Sequence, residues 1–106
     1  MSRREALMVR VYLSESDHAS KPVLSCLHDE LGVRGVTVTR GIEGYGASGR
    51  RHAASLIDLA LDLPLIVEFF DRPERATAAI DRIRDFVAPG HIVSWTVFVE
   101  SEESEC

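Results

Sequence analysis

A glycine- and arginine-rich segment, residues 40–52 (RGIEGYGASGRRH), holds the residues of this chain best suited to binding an anion. It contains four of the seven glycines and three of the twelve Lys and Arg residues. Glycine permits positive φ, so consecutive backbone N–H groups in such a segment can turn inward around an anion. Arginine adds a fork of charged donors that matches phosphate oxygens. The segment therefore predicts a phosphate-binding loop, in which Arg40 and Arg50 are expected to contact phosphate.

The same glycines match two nucleotide-binding patterns in part. Residues 44–49 (GYGASG) satisfy G-x-G-x-x-G, follow a predicted strand and could open a helix over 50–62, as in a dinucleotide-binding unit. That strand is the second of the chain, however, and the chain is too short for two mononucleotide-binding halves. A P-loop is disfavoured because Arg50-Arg51 stands where Lys followed by Ser or Thr is needed. A small NAD-type oxidoreductase, or a fragment of one, remains an alternative.

Other reactive side chains are scattered along the chain. The four histidines lack metal-ligand spacing, so no metal site is expected, and no nucleophile stands beside a credible base, so no enzyme activity is expected. Cys26 and Cys106 form no CxxC motif. His52 is retained as a site residue because it could titrate near neutral pH. Glu68 interrupts an apolar strand, and we expect an arginine such as Arg10 on a neighbouring strand to pair with it.

Length and composition predict one small cytoplasmic domain. The chain has 106 residues, of which 45% are hydrophobic and 27% charged, as in ordinary globular proteins. Its net charge of −5 disfavours a nucleic-acid partner. No apolar run approaches the length of a membrane span, and no apolar stretch follows Arg3-Arg4 to make an export signal. We assign residues 1–99 to the domain, with a long loop at about 43–62, and residues 100–106 to an acidic, flexible tail.

Hydrophobic periodicity predicts the element order strand, helix, strand, strand, helix, strand. The predicted strands cover residues 7–13, 36–42, 65–70 and 92–99. One helix is expected between Ser20 and Gly32, and a second runs from a capping box at Asp71 and Glu74 to the stop at Pro89. Residues 48–63 are compatible with a helix, an extended arm or a mobile loop. The order is that of an α+β, ferredoxin-like βαββαβ sandwich, with an antiparallel sheet and both helices on one face.

Several stretches of the sequence resemble the motifs of one protein family. They are residues 12–17 (YLSESD), 40–48 (RGIEGYGAS) and 62–68 (DLPLIVE), together with His52. In this order, over about residues 7–99, the chain resembles the uncharacterised bacterial and archaeal family grouped with the PII-like, or nitrogen-regulatory-protein-like, signalling proteins. The resemblance implies a ferredoxin-like fold assembled as a homotrimer. It also implies that adenine nucleotides bind in clefts between subunits, near the long loop.

The resemblance implies a particular set of site residues. The nucleotide-facing loop would consist of Arg40, Gly41, Gly44, Gly46 and Ser48, with Arg50 and His52 on its outgoing arm. Tyr45 could stack on adenine, and Gly90 would belong to a second short loop across the subunit interface. That second loop, residues 88–91 (APGH), lacks the basic residues of the nitrogen-regulatory PII proteins. AMP or ADP is therefore expected at least as much as ATP.

The expected function is that of a non-enzymatic regulator that requires no cofactor. It would sense an adenine nucleotide and transmit its state through residues 41–62 to a partner, for which a membrane transporter or channel is the expected kind. A divalent-ion-tolerance trimer of the same fold is a second alternative, beside the NAD-type oxidoreductase. The oxidoreductase predicts a helix over 50–62 and a parallel sheet, whereas the ion-tolerance protein predicts stabilisation by a metal.

Overall fold

Six strands and two helices make up the part of the chain that a computed structural model describes, residues 2–33, 35–45, 51–53 and 63–101. The strands are β1 (Ser2–Ser14), β2 (Val36–Arg40), β3 (Glu43–Tyr45), β4 (Arg51–Ala53), β5 (Pro64–Asp71) and β6 (Ile92–Ser101). The helices are α1 (Ser20–Ser25), which continues as a π-type turn over Cys26–Glu30, and α2 (Pro73–Ile83), which ends in a 3-10 turn over Arg84–Phe86. A further 3-10 turn, Glu15–Asp17, follows β1.

The main sheet has the strand order β2-β5-β1-β6, and each neighbouring pair is antiparallel. Strands β3 and β4 pair with each other in a separate hairpin. The predicted α+β, ferredoxin-like class is confirmed. The parallel sheet required by the oxidoreductase alternative is not what these strands form, and β4 replaces the start of the helix which that alternative predicts.

The core lies between the two helices and one face of the sheet. Alternate residues of the central strands point into it, because successive side chains of a strand face opposite sides. The sheet contributes Val9, Val11, Leu13, Leu65, Val67 and Phe69, and the helical segments contribute Val23, Cys26, Leu27, Ala76, Ala79 and Ile83. All twelve side chains are buried. None of the described helices has the length and apolar composition that a membrane span requires.

The other side of the sheet, which we call the open face, carries large apolar side chains. Its residues include Met8, Arg10, Tyr12, Ile66, Glu68, Phe70, Val93 and Trp95. Glu68 and Arg10 pair at its centre as predicted, with Arg10 Nε 2.5 Å from Glu68 Oε2. The Arg10 guanidinium also lies 5.1 Å from the centre of the Trp95 ring. Tyr12, Phe70, Val93 and Trp95 are exposed in the single chain.

Two predicted boundaries hold and one does not. Gly32 ends the first helical segment with φ of +65°, and Pro73 opens α2. The predicted capping box is wrong, because Arg72 is the N-cap residue of α2 and makes no side-chain cap bond. The Asp71 carboxylate instead accepts the Arg72 N–H at 2.7 Å and pairs with Arg75 at 3.3 Å. The carboxylate is thus held one residue too early to cap the helix.

Strands β1 and β6 both extend beyond their predicted limits. β1 begins at Ser2 instead of residue 7, and β6 ends at Ser101 instead of residue 99. Arg3 pairs with Glu100 across these ends, Nε to Oε2 at 2.9 Å, and its guanidinium lies 5.4 Å from the Phe98 ring centre. Apolar alternation cannot reveal such a strand end, because polar cross-strand contacts extend it.

Candidate functional site

The predicted loop starts at one end of the main sheet, which we call the loop end. β2 finishes there at Arg40, opposite Leu65, and β1 finishes there at Ser14, opposite Pro64. β6 begins at the same end, with Ile92 opposite Val11. The sheet topology therefore brings three connections to one pole of the molecule.

Arg40 is held at the loop end by an acidic residue that directly follows β1. Its Nη2 lies 2.7 Å from Glu15 Oε2. The Glu15 backbone N–H donates to Leu63 O at 2.9 Å, and Glu15 Oε1 accepts the Leu63 N–H at 3.2 Å. Glu15 thereby joins the end of β1, the end of β2 and the residue before β5. The Arg40 side chain remains 54% exposed, so much of the guanidinium is accessible to a ligand.

Gly41 and Gly44 lie against Pro64 at the base of the loop. The Gly41 N–H donates to Pro64 O at 2.7 Å. A Cβ on Gly41 would lie 2.8 Å from Pro64 Cγ, and a Cβ on Gly44 would lie 3.3 Å from it. Neither glycine has positive φ. The prediction that these two glycines turn amides inward through positive φ is therefore wrong, and close approach to Pro64 is what requires them.

The β3–β4 hairpin places two further predicted site residues opposite each other. Gly44 pairs with His52, and Tyr45 pairs with Arg51. The Tyr45 side chain is 77% exposed in the single chain. Gly46, Ser48 and Arg50 lie outside the described residues, and their predicted roles remain predictions.

Gly90 lies at the opposite edge of the sheet from Arg40. It has φ of +85° in the turn before β6, where the His91 N–H donates to Ala88 O at 3.2 Å. The same turn is tied to β1, because the Tyr12 N–H donates to His91 O at 2.8 Å. Strands β5 and β1 separate β2 from β6, so Arg40 and Gly90 stand three strand spacings, about 14 Å, apart. A single chain does not bring these two predicted residues together.

A groove of about 560 Å³ beside Gly90 contains an arginine that the sequence interpretation missed. It runs between α2 and β6, and Arg84 and Asp81 line it. Arg84 Nη1 lies 3.9 Å from Asp81 Oδ1. The 88–91 turn has no Lys or Arg of its own, yet Arg84 supplies a guanidinium from the end of the preceding helix. Within residues 2–33, 35–45 and 63–101, no three His, Cys, Asp or Glu side chains are grouped as metal ligands.

Both the sequence and the fold of this chain are similar to those of known proteins. The family model DUF190, described as uncharacterized ACR, matches residues 6–99. A UPF0166 protein of Aquifex aeolicus (strain VF5) is 31% identical over 81 residues, which cover 73% of this chain and 77% of the relative. Two examples of solved structures that share the fold are CPII and CutA1. CPII from Thiomonas intermedia K12, a nitrogen regulatory PII-like protein bound to ADP, AMP and bicarbonate, matches with a TM-score of 0.67 at 16% identity over 94% of this chain and 100% of CPII. CutA1 from Oryza sativa matches with a TM-score of 0.60 at 14% identity over 93% and 84% of the two chains.

Proposed function

Because this chain belongs to the DUF190 family and has the fold of PII-like proteins, we propose that it is a non-enzymatic regulator that binds an adenine nucleotide. The observation that carries the proposal is Arg40, half exposed beside Gly41 at the base of a glycine-rich loop. A guanidinium in this position can donate to phosphate oxygens without first leaving a buried environment. The ADP and AMP bound by CPII suggest the ligand class.

The nucleotide would lie between subunits of a homotrimer. Arg40 and Gly90 stand on opposite edges of one sheet, and in the proposed trimer the cleft would combine the β2 edge of one copy with the β6 edge of the next. The open face offers the apolar surface for such assembly, since Val93 and Trp95 are exposed in the single chain. A chain of this length buries only about two-thirds of its unfolded surface, so the additional burial would be stabilising.

Nucleotide binding would be transmitted through contacts at both ends of residues 41–62. Phosphate would compete with Glu15 for Arg40, and the same Glu15 carboxylate holds the Leu63 N–H at the end of that segment. A ligand shifts a conformational equilibrium only through contacts that differ between the states, and this competition supplies such a difference. The segment would then present or withdraw a surface for a partner. That the partner is a membrane transporter or channel stays a prediction from the resemblance.

The test is thermal stability and calorimetric titration of the full chain with AMP, ADP, ATP, cyclic AMP, NAD and divalent metals. A ligand at about 100 times its dissociation constant stabilises a folded protein by roughly 2.7 kcal/mol. We expect adenine mononucleotides to bind. Binding of NAD alone would favour the oxidoreductase, and binding of metal alone would favour the ion-tolerance protein.

Two variants of the Arg40–Glu15 pair test the site itself. Arg40→Gln removes the charged donors and should weaken nucleotide binding at least tenfold with the trimer intact. Glu15→Gln keeps an acceptor for the Leu63 N–H but removes the competing charge, so it should tighten binding. Arg50→Ala should likewise weaken binding without loss of assembly. Unchanged nucleotide affinity in Arg40→Gln would refute the proposed site.

A further inference from the structure

A second cavity, of about 360 Å³, lies at the end of the sheet opposite the loop end. It forms where β1 begins and β5 ends, and its lining includes Arg4, Phe70, Arg72 and Val99. Arg4 and Ser14 are ten residues apart along β1, a separation of about 33 Å. The cavity is therefore remote from Arg40 in the same chain.

Arg4 lines this cavity and carries one unsatisfied donor. Its Nε is buried and has no hydrogen-bond partner, the one side-chain nitrogen or oxygen in this condition among the described residues. Leaving a buried donor unpaired is costly, and the cost is larger for a charged group. The neighbouring Arg3 differs, because it points to the other face of β1 and pairs with Glu100. Arg4 has no carboxylate partner within the described part of the chain.

The remaining charges favour a ligand with one negative charge. Arg72 lines the cavity, and its side chain pairs with no carboxylate among the described residues. Arg75 is already occupied, since it pairs with Asp71 at 3.3 Å and donates to Leu31 O at 3.1 Å. Glu5 also lines the cavity and opposes a highly charged anion. Two arginines are thus available for a ligand, beside acids that limit its charge.

The cavity also has an apolar wall. Phe70 is 48% exposed there, and Val99 lies across β1 from it. We propose that the cavity binds a small organic oxyanion, with its carboxylate or phosphate group at Arg4 and Arg72 and a compact apolar part against Phe70. This site is separate from the proposed nucleotide site, and its test does not depend on nucleotide binding.

Two sources can supply an oxyanion to this cavity. One is a free small molecule, and the other is the set of tail carboxylates that follow β6, Glu102, Glu103 and Glu105. Benzoate serves as the probe for the full chain, with the neutral benzamide as its isosteric control, at constant ionic strength. A variant with all three tail glutamates changed to Gln distinguishes the sources, since it should bind benzoate more tightly than the parent if the tail competes.

Titration followed by calorimetry and by thermal unfolding should show saturable binding of benzoate and not of benzamide. Arg4→Gln and Arg72→Gln should each weaken it at least tenfold. The matched control Arg3→Gln removes the same charge one residue away and should leave the affinity unchanged. Equal binding of benzamide, or unchanged affinity in both cavity variants, would overturn the proposal. Loss of assembly in Arg4→Gln without any benzoate binding by the parent would also overturn it, because a neighbouring subunit would then be the partner of Arg4.

Discussion

Replacing Gly41 with alanine should destabilise the fold and disturb the proposed nucleotide site, because the base of the loop has no room for a methyl group. The new Cβ would lie 2.8 Å from Pro64 Cγ, whereas carbon atoms pack at about 3.5–4.0 Å. Pro64 is not free to retreat, since it pairs with Ser14 and accepts the Gly41 N–H at 2.7 Å. The methyl group must therefore push the end of β2 away from β5.

The expected cost follows from three contributions. Inserting a methyl group into a packed site costs about 1–3 kcal/mol. Weakening the hydrogen bond to Pro64 destabilises the fold by a further 0.5–1.5 kcal/mol, roughly. In the opposite direction, the lower conformational entropy of the unfolded Gly→Ala chain stabilises the fold by about 0.4–1 kcal/mol. A net loss of about 1–2 kcal/mol follows from these ranges when the site relaxes in part. In a domain of about this size that loss lowers Tm by roughly 4–16 °C.

Two other glycines provide matched controls for Gly41→Ala. A Cβ on Gly44 would lie 3.3 Å from Pro64 Cγ, so Gly44→Ala should cost less than Gly41→Ala. A Cβ on Gly35 would meet nothing within 4 Å, and its backbone has no positive φ, so Gly35→Ala should be neutral or slightly stabilising. Urea unfolding at one fixed protein concentration measures all three. Equal stability of Gly41→Ala and Gly35→Ala would refute the steric reasoning.

Two further predictions concern the open face and the buried thiol. Trp95→Lys should dissociate the proposed trimer in sedimentation velocity, whereas Phe98→Lys, on the other face of β6, should not; a trimeric Trp95→Lys would contradict the role of the open face. Burial, and then the charge of Glu30, raise the pKa of Cys26, so in a Cys106→Ser variant its thiol should react with a disulfide reagent at neutral pH only on unfolding. Because the pKa of Cys26 is raised in the folded state, the contribution of its protonated thiol to the free energy of unfolding is complete at neutral pH and is lost as pH rises past the ordinary pKa of 9.0. A free energy of unfolding that falls as steeply with pH in Cys26→Ala would contradict this.

The sequence predicted the fold wherever one local signal sufficed. Alternation placed β1 and a dense apolar run placed β5, and the charge at Glu68 within that run correctly predicted its pairing with Arg10. Gly32 marked a helix end because its positive φ is a local property. Such features depend on a few neighbouring residues or on one register between adjacent strands.

The features of the candidate site that were missed depend on distant parts of the chain. Glu15 holds Arg40 across 25 positions, and no spacing in the sequence marks that pair. The glycine at position 41 was interpreted through φ, because its contact with Pro64 becomes visible only when β2 and β5 pair. Arg84 was missed because the groove that it lines forms only where the end of α2 lies beside β6, which no local pattern marks.

The separation of Arg40 from Gly90 makes nucleotide binding and assembly interdependent in the proposed trimer. A ligand that contacts both residues binds only where two copies meet, so it must favour assembly by the same factor by which assembly favours its binding. A substitution on the open face, such as Trp95→Lys, would then weaken nucleotide binding although its side chain touches no nucleotide. Loss of binding together with loss of assembly therefore does not assign a residue to the site. Loss of binding with the trimer intact, as expected for Arg40→Gln, does.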